Sequence, residues 1–310
     1  MTKKIILANP RGFCAGVDRA ITIVEEALKQ YGRPVYVYHE VVHNKFVVKN
    51  LMDKGAVFVH DVSEVPEGAI LIYSAHGVSL DLRKKAEAKN LQLILDATCP
   101  LVSKVHVEVK NLHRKGYIIL MIGHKGHPEV YGTMGQVPDN IFLIESLADA
   151  ENLKLPQEIE KIAVITQTTL SVDDTAQLIA DLKSLFPNLQ MAKDEDICYA
   201  TSNRQNAVKM LLEYCDGVIV IGSKNSSNSN RLQELVSKHG KPAYLIDSAD
   251  EINDDMLLNI SNIGITAGAS APEVLVQDVV NTLKNFGFIQ TEEKKYIDEK
   301  IVFALPKVLR

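Results

Sequence analysis

The feature that most constrains this chain is a pattern stated three times: a cysteine, then a helical stretch, then apolar runs that each end in a polar loop. Cys14 follows Ile5-Ile6-Leu7-Ala8, Cys99 follows Leu93-Ile94-Leu95, and Cys198 opens a third copy after a weaker apolar run. The loops recur in order: His39-Glu40-Val41-Val42-His43-Asn44, then Gly123-His124-Lys125-Gly126-His127, then Gly222-Ser223-Lys224-Asn225-Ser226-Ser227-Asn228. A second set follows as Ser74-Ala75-His76-Gly77, Thr166-Gln167-Thr168-Thr169 and Thr266-Ala267-Gly268-Ala269-Ser270. Cys14 to His43 spans 29 residues, and Cys99 to His127 and Cys198 to Ser226 span 28 each. Cys14 to Ser74 spans 60, Cys99 to Thr166 spans 67 and Cys198 to Thr266 spans 68. Strand-like runs alternating with helical patterns point to parallel α/β architecture, and a period of this size to a repeated domain rather than a solenoid. The copies divide the chain at 1–97, 98–196 and 197–286, with a tail, 287–310, expected to pack back on the body as an edge strand.

Three cysteines that each open a copy form a candidate ligand set. A thiol at a helix start faces unpaired N–H groups and the positive end of the helix dipole, which favour its thiolate. Unrelated buried thiols are the plainer alternative, and the repeated placement argues against it. Long separations exclude a local zinc finger. Three cysteines on a [4Fe–4S] cluster would leave one iron open to an exogenous ligand, and a three-cysteine zinc site with an open position is also chemically possible. Cys215 has no counterpart in the other copies and reads as a packing thiol late in a helix.

Ligands of parallel α/β units gather at loops leaving the carboxyl ends of strands. His43, His76, His124 and His127 occupy such loops, matched elsewhere by Thr168, Ser226, Ser227, Asn228 and Ser270. Histidines, hydroxyls, amides and helix-start N–H groups suit an oxyanion such as phosphate. No Gly-Lys-Ser/Thr phosphate loop exists. Glu129 starts a helix two residues after His127, where it either complements the dipole or acts as an acid. His39, His60, His106, His113 and His239 carry no comparable signal. A net charge of −5 over 310 residues gives no footprint for nucleic acid or anionic membrane. No apolar run is long enough to span a bilayer, no signal peptide is legible, and four cysteines do not make a disulfide framework. A cytoplasmic protein is expected.

These motifs, from Asn9-Pro10-Arg11-Gly12-Phe13-Cys14-Ala15-Gly16-Val17 through Gly126-His127-Pro128-Glu129, Asp196-Ile197-Cys198-Tyr199-Ala200-Thr201 and Thr266-Ala267-Gly268-Ala269-Ser270, resemble those of the LytB (IspH) family of 4-hydroxy-3-methylbut-2-enyl diphosphate reductases over nearly the whole chain. The resemblance implies three α/β domains in a pseudo-threefold trefoil around a central [4Fe–4S] cluster, held by Cys14, Cys99 and Cys198 with one open iron site. It implies reductive removal of the allylic hydroxyl to give isopentenyl and dimethylallyl diphosphate, the last step of the non-mevalonate (MEP) isoprenoid pathway. The family's diphosphate positions fall on His43, His76, His127, Ser226, Ser227, Asn228 and Ser270, and its proton-delivery and hydroxyl-positioning residues on Glu129 and Thr168, beside His127. Reduced flavodoxin or ferredoxin is the implied donor. The rival readings are a zinc-dependent hydrolase or lyase on a phosphorylated substrate, with Glu129 as base, and a non-catalytic iron–sulfur redox sensor.

Overall fold

A computed structural model describes residues 3–153, 160–191 and 196–310. Long apolar runs become strands covered on both faces, as parallel sheets require. The strands are β1 (Lys3–Asn9), β2 (Val35–Tyr38), β3 (Ala56–Val59), β4 (Ile70–Tyr73), β5 (Leu93–Asp96), β6 (Ile118–Ile122), β7 (Ile141–Ile144), β8 (Ile162–Thr166), β9 (Leu189–Met191), β10 (Gly217–Ile221), β11 (Ala243–Ile246), β12 (Asn262–Ala267) and β13 (Phe288–Lys295). Among the described residues they form three parallel sheets of matching order: β3-β2-β4-β5, β7-β6-β8-β9 and β11-β10-β12-β1-β13. The helices are α1 (Ala15–Tyr31), α2 (Lys45–Lys54), α3 (Leu80–Glu87), α4 (Pro100–Arg114), α5 (Pro128–Met134), α6 (Leu147–Glu151), α7 (Val172–Leu185), α8 (Tyr199–Leu211), α9 (Ser227–Lys238) and α10 (Glu273–Asn285).

The threefold reading therefore becomes an α/β fold of three like sheets. In each sheet the strand leading to a ligand-candidate cysteine is the fourth member: β5 before Cys99, β9 before Cys198 and β1 before Cys14. The first strand of the chain thus completes the third sheet, pairing Ile5 with Ile263 and Leu7 with Ile265. An apolar run shows that a strand forms but not which open edge it joins, so the N-terminal strand could not be placed from its own sequence. The tail supplies β13, an edge strand parallel to β1 that extends this sheet rather than lying outside it.

The chain separates into two compact units. One comprises Met1–Asp18, Val42–Asn50 and Tyr199–Val302; the other comprises Arg19–Val41, Leu51–Cys198 and Phe303–Arg310. In the first, the β10–β12 sheet lies between a core under α10 (Ile219, Ile265, Val276, Val279) and a second under α8 and α9 (Val208, Leu211, Val220, Leu232). In the second, the β6–β8 sheet has cores formed with α7 (Leu120, Val164, Leu182) and α4 (Val105, Val109, Ile165). Cys215 belongs to the α8–α9 core, buried, its thiol pushed up to about 11 by burial. It lies beyond the end of α8 at Leu211, in the turn before β10, and not within the helix as its amphipathic surroundings suggested.

Candidate active site

Each of the three cysteines stands immediately before its helix, half-buried and free of disulfide. Cys99 is the N-cap of α4, with Pro100 at the first helical position, where a missing N–H costs nothing. Their backbone N–H groups make the same contact three times. Cys99 donates to Ala75 O at 2.9 Å, Cys198 to Thr168 O at 3.0 Å and Cys14 to Ala269 O at 3.3 Å. Each bond ties a cysteine to the polar loop that ends the neighbouring strand of its own sheet. The repeat seen in sequence is thereby a repeat in hydrogen bonding.

In the second unit, His127 caps α5, its Nδ1 accepting from Glu129 N at 3.1 Å. That bond fixes the tautomer, leaving Nε2 to carry the proton of the neutral ring. The rings of His127 and His76 meet edge to face, centroids 5.6 Å apart. They meet because α5 is pressed against the His76 loop: Leu80 N donates to Gly135 O at 2.9 Å and Gln136 Nε2 donates to Val78 O at 2.8 Å. A Cβ on Gly132 would lie 3.0 Å from the Gly77 carbonyl, so a larger residue would have to push this backbone contact apart. Glu129 is 2 % exposed, and both carboxylate oxygens are engaged by one residue: Thr168 N donates to Oε1 at 2.6 Å and Thr168 Oγ1 to Oε2 at 2.9 Å. Burial pushes the acid up to about 7, against the lowering effect of the Thr168 bonds and with a smaller upward push from Asp196. A helix-start carboxylate that merely answered the dipole would be exposed and ionised, so the buried geometry favours a proton-handling group.

In the first unit, Ser270 Oγ donates to His43 O at 2.8 Å, joining two expected substrate loops. Ser226 caps α9, its Oγ accepting from Ser229 N. A side chain on either Gly222 or Gly268 would collide with Ser229, so the α9 N-terminus sits directly on both neighbouring loops. Ser227 is half-buried in the first turn of α9. Asn228 is 4 % exposed, and neither its Oδ1 nor its Nδ2 has a hydrogen-bond partner. A buried amide without partners costs on the order of 1–3 kcal/mol unless a ligand completes it, which makes Asn228 the clearest mark of a bound polar group. The nearest basic residue of the His43 loop, Lys45, is paired with Asp247 at 2.6 Å. What these loops offer a candidate anion is therefore neutral donors and helix-start N–H groups.

Sequence reasoning passed over His106 and Arg204. His106 is buried in α4 beneath the His76 loop, where a Cβ on Gly77 (φ +78°) would fall 2.6 Å from its Cε1. Burial holds its imidazole down at about 4, helped by Arg83 and Lys110. Its neutral form therefore contributes stability that is complete above pH 6.5 and is lost as the pH falls toward 4, worth on the order of 3 kcal/mol. Replacing His106 by Gln should flatten the acid limb of the unfolding free energy over that window; an unchanged limb would show that His106 is not the titrating group. The one available signal was a histidine at helical spacing between Val102 and Val109, which also describes an exposed residue.

A family model described as LytB protein matches residues 5–284. The chain belongs to the LytB family. It is 55 % identical over 310 residues to a 4-hydroxy-3-methylbut-2-enyl diphosphate reductase of Chromobacterium violaceum, covering 100 % of this chain and 99 % of that one. It is 57 % identical to the protein of the same name from Actinobacillus succinogenes, covering 99 % and 98 %. Among solved structures, the E-1-hydroxy-2-methyl-but-2-enyl-4-diphosphate reductase of Plasmodium falciparum superposes with a TM-score of 0.95 at 42 % identity, covering 100 % of this chain and 97 % of that one. The zinc hydrolase and redox sensor readings find no support among these relatives. Among the described residues, no helix is long and apolar enough to cross a membrane.

The donor set suits an iron–sulfur cluster: three thiols outside any disulfide, each at a helix start, with backbone N–H groups nearby to stabilise thiolate charge. Among the described residues no three His, Cys, Asp or Glu side chains gather closely enough to hold a single metal ion.

Proposed function

We propose that this protein is a cytoplasmic iron–sulfur oxidoreductase that removes the allylic hydroxyl of 4-hydroxy-3-methylbut-2-enyl diphosphate, yielding isopentenyl and dimethylallyl diphosphate as the last step of the non-mevalonate pathway. Cys14, Cys99 and Cys198 are the ligands of a [4Fe–4S] cluster, which when bound supplies electrons and a Lewis-acidic open iron. Reduced flavodoxin or ferredoxin is the electron source. The observation that carries the reading is the Glu129–Thr168–Cys198 chain: a buried acid raised by burial to about 7, bonded to a threonine whose carbonyl accepts from the N–H of a candidate ligand cysteine.

The chain's own residues divide the work. Replacing C–OH by C–H consumes two electrons and two protons and releases water. Glu129 holds one proton, and Thr168 Oγ1, which can both donate and accept, hands it to the departing hydroxyl. His43, His76, His127, Ser226, Ser227, Asn228 and Ser270 bind and orient the diphosphate, with Nε2–H of His127 as a donor fixed by the Nδ1 bond. Burial of Glu129 and Asn228 keeps competing water away from the acid and the anion.

The deciding experiment is anaerobic turnover of the allylic diphosphate by iron-loaded protein with a chemical reductant, products read by chromatography. Iron-loaded protein that reduces none of this substrate would defeat the assignment. The anion site makes a separate forecast. Asn228→Ala or Ser226→Ala should weaken diphosphate binding by about 10- to 100-fold, the size of a lost hydrogen bond to a charged group. Lys224→Ala, an exposed residue of the same loop, should change it by less than about threefold. Titration calorimetry would decide, and the reverse order would mean that a basic clamp holds the anion.

A further inference from the structure

The largest fully buried side chain of the first unit is a guanidinium that no catalytic step uses. Arg204, on α8, is 0 % exposed. A buried cation is costly unless its donors and charge are satisfied, and here they are spent on a specific target. Nε and Nη2 both donate to Gly12 O, at 3.0 and 2.7 Å, and Nη2 also reaches Phe13 O at 3.2 Å. Nη1 donates to Ala200 O at 2.8 Å, in the first turn of α8. These carbonyls belong to the two residues before Cys14 and to the second residue after Cys198. The counter-charge comes from the tail: Glu299 Oε1 lies 3.1 Å from Nη1, and Asn203 Nδ2 donates to the same carboxylate at 3.0 Å. Gly12 itself has φ +65°, and a Cβ there would meet Ala271 O at 2.9 Å, so this loop holds an exacting conformation.

The second unit repeats the device. Arg19, on α1, donates from Nη1 to Thr98 O at 3.1 Å, the residue before Cys99, and from Nε to Ala304 O of the tail at 2.9 Å. An arginine from the helix after one cysteine therefore grips the loop before another, and in both cases the tail supplies a second anchor. Glu299 and Ala304 lie beyond residue 284, where the family match ends.

We propose that Arg204 and Arg19 are positioning residues for the cysteine ligands and that the C-terminal tail, through Glu299 and Ala304, is the strap that holds them in place. The inference rests on the cluster reading above. Its function would be retention: a ligand loop that cannot swing out does not release its iron. Outer partners that orient metal ligands typically govern 10- to 100-fold in metal affinity.

The test uses anaerobic, iron-loaded full-length protein and follows removal of iron by a ferrous chelator, together with the electron paramagnetic resonance spectrum of the reduced cluster. Glu299→Gln should lose iron about 10- to 100-fold faster than wild type and show an altered spectrum, and Glu299→Asp should recover part of the difference. Val276→Ala, which opens a cavity in the core under α10 and removes no atom that takes part in these bonds, serves as a stability control: it should lower the melting temperature yet release iron at the wild-type rate. Wild-type release and spectrum in Glu299→Gln would overturn the strap, as would Val276→Ala releasing iron equally fast. Wild-type protein that assembles no cluster, indistinguishable in iron content from Cys14→Ser, would instead overturn the cluster reading on which the strap depends.

Discussion

Cys99→Ser protein, assembled and purified without oxygen, should carry only a small fraction of the wild-type iron and sulfide, and Cys14→Ser and Cys198→Ser should match it. Cys215→Ser should keep a nearly full complement. A serine oxygen is a harder and far less acidic donor than a thiolate, so one replacement in a set of three leaves two irons open and the cluster labile. The contrast with Cys215 follows from placement. Three cysteines precede helices and share one hydrogen-bond pattern, whereas Cys215 is buried among Val208, Leu211 and Val218 with its thiol pushed up to about 11. Burial outweighs the lowering effect of Lys241 and keeps that thiol protonated and inert. Normal iron and sulfide content in Cys99→Ser would defeat the ligand assignment.

Glu129→Gln should bind cluster and substrate yet reduce substrate about 10²- to 10⁴-fold more slowly in a single turnover, equivalent to about 3–5 kcal/mol of barrier. Glutamine keeps the acceptor for Thr168 N–H but has no proton to give. Glu129→Asp, shorter by one methylene, should keep partial activity through Thr168 or a water. The pH dependence carries the same signature. Burial raises the acid to about 7, so it is protonated below that value and the single-turnover rate should fall as pH rises through 7. Stability moves in the same direction. The folded state holds the proton more tightly than the unfolded chain, whose carboxyl titrates near 4.5, so stability falls as pH rises from about 4.5 to 7 and is flat beyond. Glu129→Gln should abolish that fall and be the more stable protein at pH 8. A Gln variant turning over at near the wild-type rate would reduce Glu129 to a helix-start residue.

Much of the candidate site was legible because chemistry and spacing were both periodic. Cys14, Cys99 and Cys198 declared themselves by opening matched copies, and Ser226, Asn228 and His127 by falling at nearly equal distances from them. Helix caps are local in the same way: Ser171 accepts from Asp174 N at 3.3 Å, a bond that four adjacent residues suffice to specify. Glu129 was ambiguous at this level, because a carboxylate in the first turn of a helix looks the same whether it faces solvent or the interior.

The sequence by itself determined the alternation of strands and helices, the threefold repeat and the polar loops, since each depends on residues close together in the chain and on side-chain period. The tertiary structure decided everything set by residues far apart. It chose the edge that β1 joins, pairing Ile5 with Ile263, and it placed β13 alongside. It buried Glu129 against Thr168, 39 positions away, which turned a carboxylate of ordinary acidity into an acid of about 7. It drew Arg204 to the carbonyl of Gly12, 192 positions away, where buried hydrogen bonds offset the desolvation of its charge beside a candidate ligand cysteine. Local pattern specifies which elements form; desolvation and long-range pairing, which no window of sequence contains, specify what their side chains can do.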